Sequence, residues 1–215
     1  MKSYIVFGLG RFGQAVATAL YEHGNEVLAV DKDEDVVTEI QGYVTHAIIG
    51  DCADEAVIKS LGVRNFDVAI VAVGGGDIQT STLATVLLRE MGTNYIVARA
   101  TDELHGRILT KVGADRVILP ERDMGLKFAQ SLSSSNILDM IDLSDNYSIV
   151  EVKALHAWMG KSLSELDLRS VYGITVLAVK SDGRVVITPR ADYVLSENDV
   201  LVVIGHNKNI DSIRE

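Results

Sequence analysis

The sequence predicts an α/β protein: a doubly wound parallel sheet, then a connecting helix, then a small α+β module. Three observations carry that prediction. Short β-branched runs alternate with helical stretches from residue 4 to residue 119, glycines follow the helical stretches, and after residue 147 strands recur without long helices between them. Uninterrupted apolar runs are what a strand buried on both faces shows, which is the mark of a parallel sheet.

The first strand is YIVF at residues 4–7, and FGQAVATALYEHG follows it as a helix. EVLAVD with EDVVTEIQG, HAIIG with DEAVIKSLG, DVAIVAV with IQTSTLATVLLREMG, and YIVARA with DELHGRILTKVG repeat the unit, and RVILP closes it as a sixth strand. Gly24, Gly42, Gly62, Gly92 and Gly113 each follow a predicted helix, where a left-handed residue ends it without a Cβ penalty. Right-handed crossovers then place the ligand cleft beyond the carboxyl ends of the strands.

Past Pro120, a helix is expected over residues 122–141, with Met124, Phe128, Leu132, Ile137, Leu138 and Ile141 at roughly helical spacing. The SLSSSN segment inside it weakens or bends it. Its apolar face needs cover, either by bridging two domains or by lying across a neighbouring subunit. The remaining strands are YSIVEVK, ITVLAVK, RVVIT and VLVVIG, with Ser181-Asp182-Gly183 as a hairpin signal. Leu155, Trp158 and Met159 read as core or interface. The expected organisation is a nucleotide-binding domain at 1–120, a crossover helix at 121–141 and a carboxy-terminal ligand-binding and dimerisation domain at 142–215.

With 215 residues, 47% hydrophobic and 23% charged, the chain is long enough for a real core. Its formal net charge of −10 opposes attraction to nucleic acid or to an anionic lipid surface, so neither is expected as a partner. The single cysteine, Cys52, has no internal disulfide partner, which suits a reducing cytoplasm. The MKSYIVFGLG start lacks the pattern of a signal peptide, and no apolar run approaches the ~20 residues that span a bilayer as a helix. Action at a membrane would go through a partner, without direct insertion.

The sharpest motif is Gly8-Leu9-Gly10-Arg11-Phe12-Gly13, placed after a strand and opening a helix. In that context the first glycine permits a tight turn, the second lets backbone approach a pyrophosphate, and the third allows close helix packing. The helix start offers free N–H groups to the anion. Asp31 ends the second strand, where a carboxylate accepts hydrogen bonds from ribose hydroxyls. Asp51, ending the third strand, is read either as an adenine-side contact or as the cap of the next helix. Arg11 either pairs with a terminal phosphate or is a solvated arginine at the helix start. The motif suits NAD and other adenosine phosphates alike.

GLGRFG, the aspartate at the second strand end, GD at the third and LPERDMG after the sixth together resemble the KTN/RCK family of potassium-transport regulators, along essentially the whole chain. The likeness is strongest to the single-repeat regulatory subunits of Ktr-type potassium transporters, because only one glycine motif is present. The resemblance implies a Rossmann-like amino-terminal domain, a helix swapped between subunits, an octameric ring of this chain beneath a KtrB- or KtrD-like membrane subunit, and a cytoplasmic location at the inner face of the plasma membrane. It also implies that ATP and ADP compete for the cleft. Gly8, Gly10 and Gly13 would then hold phosphates, with Phe12 beside them, Asp31 and Lys32 the ribose side, and Asp51 with Cys52 the adenosine side. Arg11 would reach a γ-phosphate across the dimer, Arg99 would lie near the nucleotide, and Glu121 would bind Mg2+ or another divalent cation between facing nucleotides. In the carboxy-terminal module Asp167, Leu168, Arg169, Ile174 and Pro189 match a stretch that binds cyclic di-AMP in this family. The segment Tyr172-Gly173-Ile174-Thr175 lacks an asparagine expected there.

Catalysis is not expected. His23, His46, His105, His156 and His206 are dispersed, with no metal-ligand spacing and no paired nucleophile. The negative charge of Asp51 disfavours a Cys52 thiolate. The Gly74-Gly75-Gly76-Asp77 run lies at the cleft edge, as a ligand-following loop or a plain helix entry. The alternatives are an NAD-dependent oxidoreductase, for which no acid or base stands out in residues 120–215, and a redox sensor that binds NADH.

Overall fold

The computed structural model describes residues 1–74, 76–133, 137–144 and 146–213, and it divides into two compact units, Met1–Arg122 and Asp123–Glu215. Six parallel strands form the sheet of the first unit: β1 (Ser3–Phe7), β2 (Glu26–Asp31), β3 (His46–Ile49), β4 (Val68–Val71), β5 (Ile96–Arg99) and β6 (Arg116–Ile118). Their spatial order is β3-β2-β1-β4-β5-β6, all parallel. Five helices connect them: α1 (Arg11–Glu22), α2 (Glu34–Ile40), α3 (Glu55–Ser60), α4 (Ile78–Glu90) and α5 (Glu103–Lys111). This is the doubly wound, Rossmann-like arrangement, and the strand order reverses between β1 and β4.

Side chains alternate along each strand, so one continuous apolar run feeds two cores. Ile5 and Phe7 join Val71, Leu88 and Leu109 on one face, whereas Val6 joins Ala29, Val37 and Ile70 on the other. The helix ends follow local chemistry. Gly24, Gly62, Gly92 and Gly113 take positive φ. Gly42 departs from the expected left-handed cap: it sits inside a 3-10 turn, Gln41–Tyr43, that directly continues α2.

The predicted helix at residues 122–141 is corrected at both ends. Helix α6 runs Pro120–Ser133, and Ile137–Ser144 form a strand, β7, hydrogen-bonded antiparallel to β8 (Tyr147–Lys153). A proline fits the first position of a helix, where no N–H is needed. Ile137, Leu138 and Ile141 satisfied a loose helical spacing, but pairing with β8 is a non-local contact that helical spacing does not register. The stretch following Ser133 at residues 134–136, part of SLSSSN, lies outside the described residues. The second unit therefore begins inside α6 and includes β7.

That unit continues with α7 (Leu163–Leu166), α8 (Leu168–Tyr172), β9 (Ile174–Ser181), β10 (Arg184–Ile187), β11 (Val200–His206) and α9 (Asn207–Asp211). Its five-stranded sheet has the order β10-β9-β11-β8-β7, with antiparallel pairing throughout. Asp182 and Gly183 both have positive φ between paired Ser181 and Arg184, as a type I′ hairpin requires. Trp158 is buried in this core and meets Tyr172 edge-on, with ring centroids 5.5 Å apart. Among the described residues, no helix is long and apolar enough to cross a membrane.

Candidate nucleotide site

The first unit carries a cleft of about 220 Å³ at the carboxyl ends of its strands, at the point where the strand order reverses. Gly8, Gly10, Asp31, Lys32, Asp51 and Cys52, all predicted, line it together with Gly74, Asp77 and Thr80. The three motif glycines have three separate physical reasons. Gly8 has φ +88°, and a Cβ there would fall 2.8 Å from the Val73 nitrogen. A Cβ on Gly13 would lie 1.8 Å from the Gly8 carbonyl oxygen, so α1 seats on its own entry turn only without a side chain. At Gly10, by contrast, no heavy atom lies within 4 Å of a built Cβ. Gly10 keeps a surface open; Gly8 and Gly13 hold the turn closed.

Helix α1 starts at that open surface with no side-chain cap from Gly10 and no acidic residue in its first turn. Its amino-terminal N–H groups are thus left for an anion. The other helices of the unit are capped by aspartates: Asp33 for α2, Asp54 for α3, Asp77 for α4 and Asp102 for α5. This settles one alternative at Asp51. The cap of α3 is Asp54, and Asp51 instead accepts a hydrogen bond from Ala53 N–H at 2.8 Å on the cleft wall.

Asp31 is tied on both oxygens. Leu9 N–H donates to Oδ2 at 2.5 Å and Asp33 N–H to Oδ1 at 3.0 Å, so the end of β2 is stitched to the glycine turn. A carboxylate fixed in this way still has lone pairs for a vicinal diol. Hydrogen bonds from the Thr80 main chain and side chain hold the Asp77 carboxyl below its ordinary value. Burial, and then the charges of Asp51, Asp31 and Asp77, push the Cys52 thiol up to about 12. Cys52 packs in the first hydrophobic cluster, and this environment disfavours its thiolate.

Charge is distributed unevenly along the site. Asp31, Asp51 and Asp77 crowd one end, relieved by Lys32. A second cleft shares Gly10 and Gly74 with the first and is lined by Arg11, Phe12, Arg99 and Glu121. Arg99 is ion-paired to Glu121, and its guanidinium carbon lies 5.7 Å from the centre of the Phe12 ring. The first cleft is thus acidic at one end, and the adjoining cleft carries the cations Arg11 and Arg99, the latter paired with Glu121.

Residues 4–120 match the TrkA-N domain family and residues 147–215 the TrkA-C domain family. The chain belongs to the TrkA-N family. Among its TrkA-N relatives, Ktr system potassium uptake protein A of Bacillus subtilis is 46% identical over 97% of this chain and 94% of its own length. Ktr system potassium uptake protein C of the same organism is 45% identical over 95% and 92%. The crystal structure of the GsuK RCK domain superposes with a TM-score of 0.70 at 19% identity, covering 99% of this chain and 47% of that one. At that identity the likeness shows the fold.

Within this TrkA-N site the glycine turn, Asp31, Lys32, Asp51 and Cys52 come together as expected, and Arg11, Phe12, Arg99 and Glu121 form an adjoining group. Gly74 does more than enter a helix: a Cβ there would fall 2.4 Å from Arg99 Nη1. Gly75 lies outside the described residues. Thr80 was not singled out, because it becomes a cleft residue only when the start of α4 is brought beside the other strand ends. In the TrkA-C unit, Asp167 and Arg169 are exposed and Pro189 half-buried, while Leu168 and Ile174 are core side chains. Ile174 packs against Gly205, where an added Cβ would meet it at 2.9 Å. Any share that Leu168 and Ile174 take in a ligand site would be through their backbone.

Proposed function

We propose that this chain is a nucleotide-sensing regulatory subunit that gates a membrane potassium transporter by taking different conformations with ATP and with ADP. The observation that carries this reading is the uncapped, side-chain-free start of α1 facing a carboxylate fixed at both oxygens. That pairing suits a phosphate chain followed by a ribose diol. Membership of the TrkA-N family and 46% identity to a Ktr system potassium uptake protein supply the physiological setting. Nothing in the cleft argues for turnover: its cysteine is held as a thiol, and its carboxylates serve main-chain hydrogen bonds.

In this reading the nucleoside lies toward Asp31, Lys32, Asp51 and Cys52, and the phosphates run past Gly10 toward Arg11 and Arg99. Arg11, exposed at the helix start, serves a terminal phosphate of its own or a facing chain. Among the described residues no three His, Cys, Asp or Glu side chains converge as a metal site. A divalent cation would accordingly be held by Glu121 together with phosphate oxygens. Met124, Phe128 and Leu132 are exposed along α6 at four-residue spacing, which supports cover by a second copy in an oligomeric ring. Cyclic di-AMP at Asp167, Arg169 and Pro189 belongs to the same proposal, as does a cytoplasmic position at the membrane's inner face, held there by the KtrB- or KtrD-like partner.

The test is a competition titration of the purified protein with ATP, ADP, NAD and NADH, with and without magnesium, combined with the mass of the assembly. Mutually exclusive ATP and ADP binding to a large oligomer is the expected result. Because a fixed Asp31 suits the ribose of NAD equally well, preference for NAD or NADH on a small oligomer would replace this reading by the oxidoreductase or the NADH sensor.

A further inference from the structure

Glu121 and Arg122 are the second and third residues of α6 and the last two of the first unit, and each is ion-paired within that unit, Glu121 to Arg99 and Arg122 to Glu103 at 2.9 Å. The two pairs differ in where they lie. Glu103 and Arg122 are both well exposed, whereas Arg99 and Glu121 line the cleft that continues past Gly10 and Gly74. The partners within the Arg99 pair differ as well. Arg99 is only 15% exposed, held between the Phe12 ring and the backbone of Gly74, while Glu121 is 64% exposed. Arg99 Nε is buried and has no hydrogen-bond partner. A guanidinium has five N–H donors in a planar fork suited to phosphate, and here it is under-used.

The geometry points to an exchange latch, resting on the nucleotide reading above: Arg99 is the phosphate-reading group, and Glu121 occupies it until a di- or triphosphate arrives. A phosphate that has passed Gly10 meets a cation whose position is fixed by Phe12 and Gly74. It carries more negative charge than a carboxylate and offers several oxygens to the terminal nitrogens that Glu121 occupies. Since Arg99 is packed and Glu121 is not, Glu121 is the group that leaves. Its release frees the first turn of α6 at one of its two ties, while the Glu103–Arg122 pair persists. AMP, with one phosphate, leaves the latch closed. The nucleotide is thereby read at the start of the helix in which the second unit begins.

The experiment is calorimetric titration of wild type, Glu121→Gln and Arg99→Gln with AMP, ADP and ATP in EDTA, so that a divalent ion on Glu121 does not contribute. Removing the competing carboxylate should tighten ADP and ATP about two- to fivefold, the range an exposed ion pair accounts for, and leave AMP unchanged. Arg99→Gln should weaken ADP and ATP about tenfold or more, again sparing AMP. Hydrogen exchange over residues 120–126 should speed up on adding ATP to wild type and be fast without ATP in Glu121→Gln. If Glu121→Gln weakens or leaves unchanged the binding of ATP in EDTA, the latch is wrong while the nucleotide site stands. If wild type binds none of the three, both fall.

Discussion

At the scale of single residues, Gly10 and Gly13 stand in one motif but answer to different constraints. A methyl group on Gly13 has no room, because its carbon would sit 1.8 Å from a backbone oxygen. Gly13→Ala should therefore cost about 3 kcal/mol or more, the upper range for overpacking, measured by denaturant unfolding of the first unit. Gly10 has φ −64° and open space around it, so Gly10→Ala should stay within about 0.5 kcal/mol of wild type. It should nevertheless weaken nucleotide binding, since the methyl group stands where the phosphate approaches. Equal loss of stability in both variants would overturn this division. The motif was legible in the sequence, and so were the tight turn at Gly8 and the close packing at Gly13. The contacts among Phe12, Arg99 and Glu121, which the resemblance placed only near the nucleotide, were not: those residues are far apart in the chain and meet because the parallel sheet brings the ends of β5 and β6 to the same edge as the glycine turn.

At the scale of elements, His105 joins α5 to α4, the helix whose first turn lines the cleft through Thr80. It is 2% exposed on α5; Thr101 N–H donates to its Nδ1 at 3.2 Å, and Nε2 lies 3.0 Å from the hydroxyl of Ser81 on α4. Nδ1 as acceptor leaves Nε2 as the donor, the neutral form. Burial lowers its pKa from 6.5, with Asp102 acting in the opposite direction. The unfolded chain therefore takes up the proton first as pH falls. Stability should be at its plateau above about pH 6.5, decline as pH drops below that, and level off once pH passes below the folded value. In His105→Gln this slope should be absent, as urea unfolding at stepped pH will show; an unchanged slope would assign it to other groups. In the sequence His105 is one of five dispersed histidines, and its bonding to Ser81 and Thr101 is set by a burial that the sequence does not display. The same limit explains β7: a strand at the edge of a sheet is defined by its neighbour, and Ile137–Ser144 pair with β8 in a hairpin that loose helical spacing concealed.

At the scale of the whole molecule, the buried apolar side chains among the described residues form two clusters in the first unit and one in the second. The chain's one tryptophan, Trp158, is buried in the second. Ligand binding stabilises only the folded unit that holds the ligand, by about 2.7 kcal/mol at a hundred times Kd. Saturating nucleotide should thus raise the far-ultraviolet transition of the Rossmann-like unit and leave the Trp158 fluorescence transition where it was. A Trp158 transition that moves in step with the nucleotide would show that the two units unfold as one.

By itself the sequence determined the six-stranded α/β unit, its glycine turn, the carboxylate at the end of β2 and the presence of a second, strand-rich module. These follow from local periodicity and turn chemistry, which the chain writes in consecutive residues. Only the tertiary structure decided which aspartate caps α3, that Leu168 and Ile174 are core, that residues 137–144 form a strand, and that Arg99 is held by Glu121. Each of those depends on groups distant in the chain becoming neighbours, and contact, burial and ion pairing are properties of that proximity rather than of any segment alone.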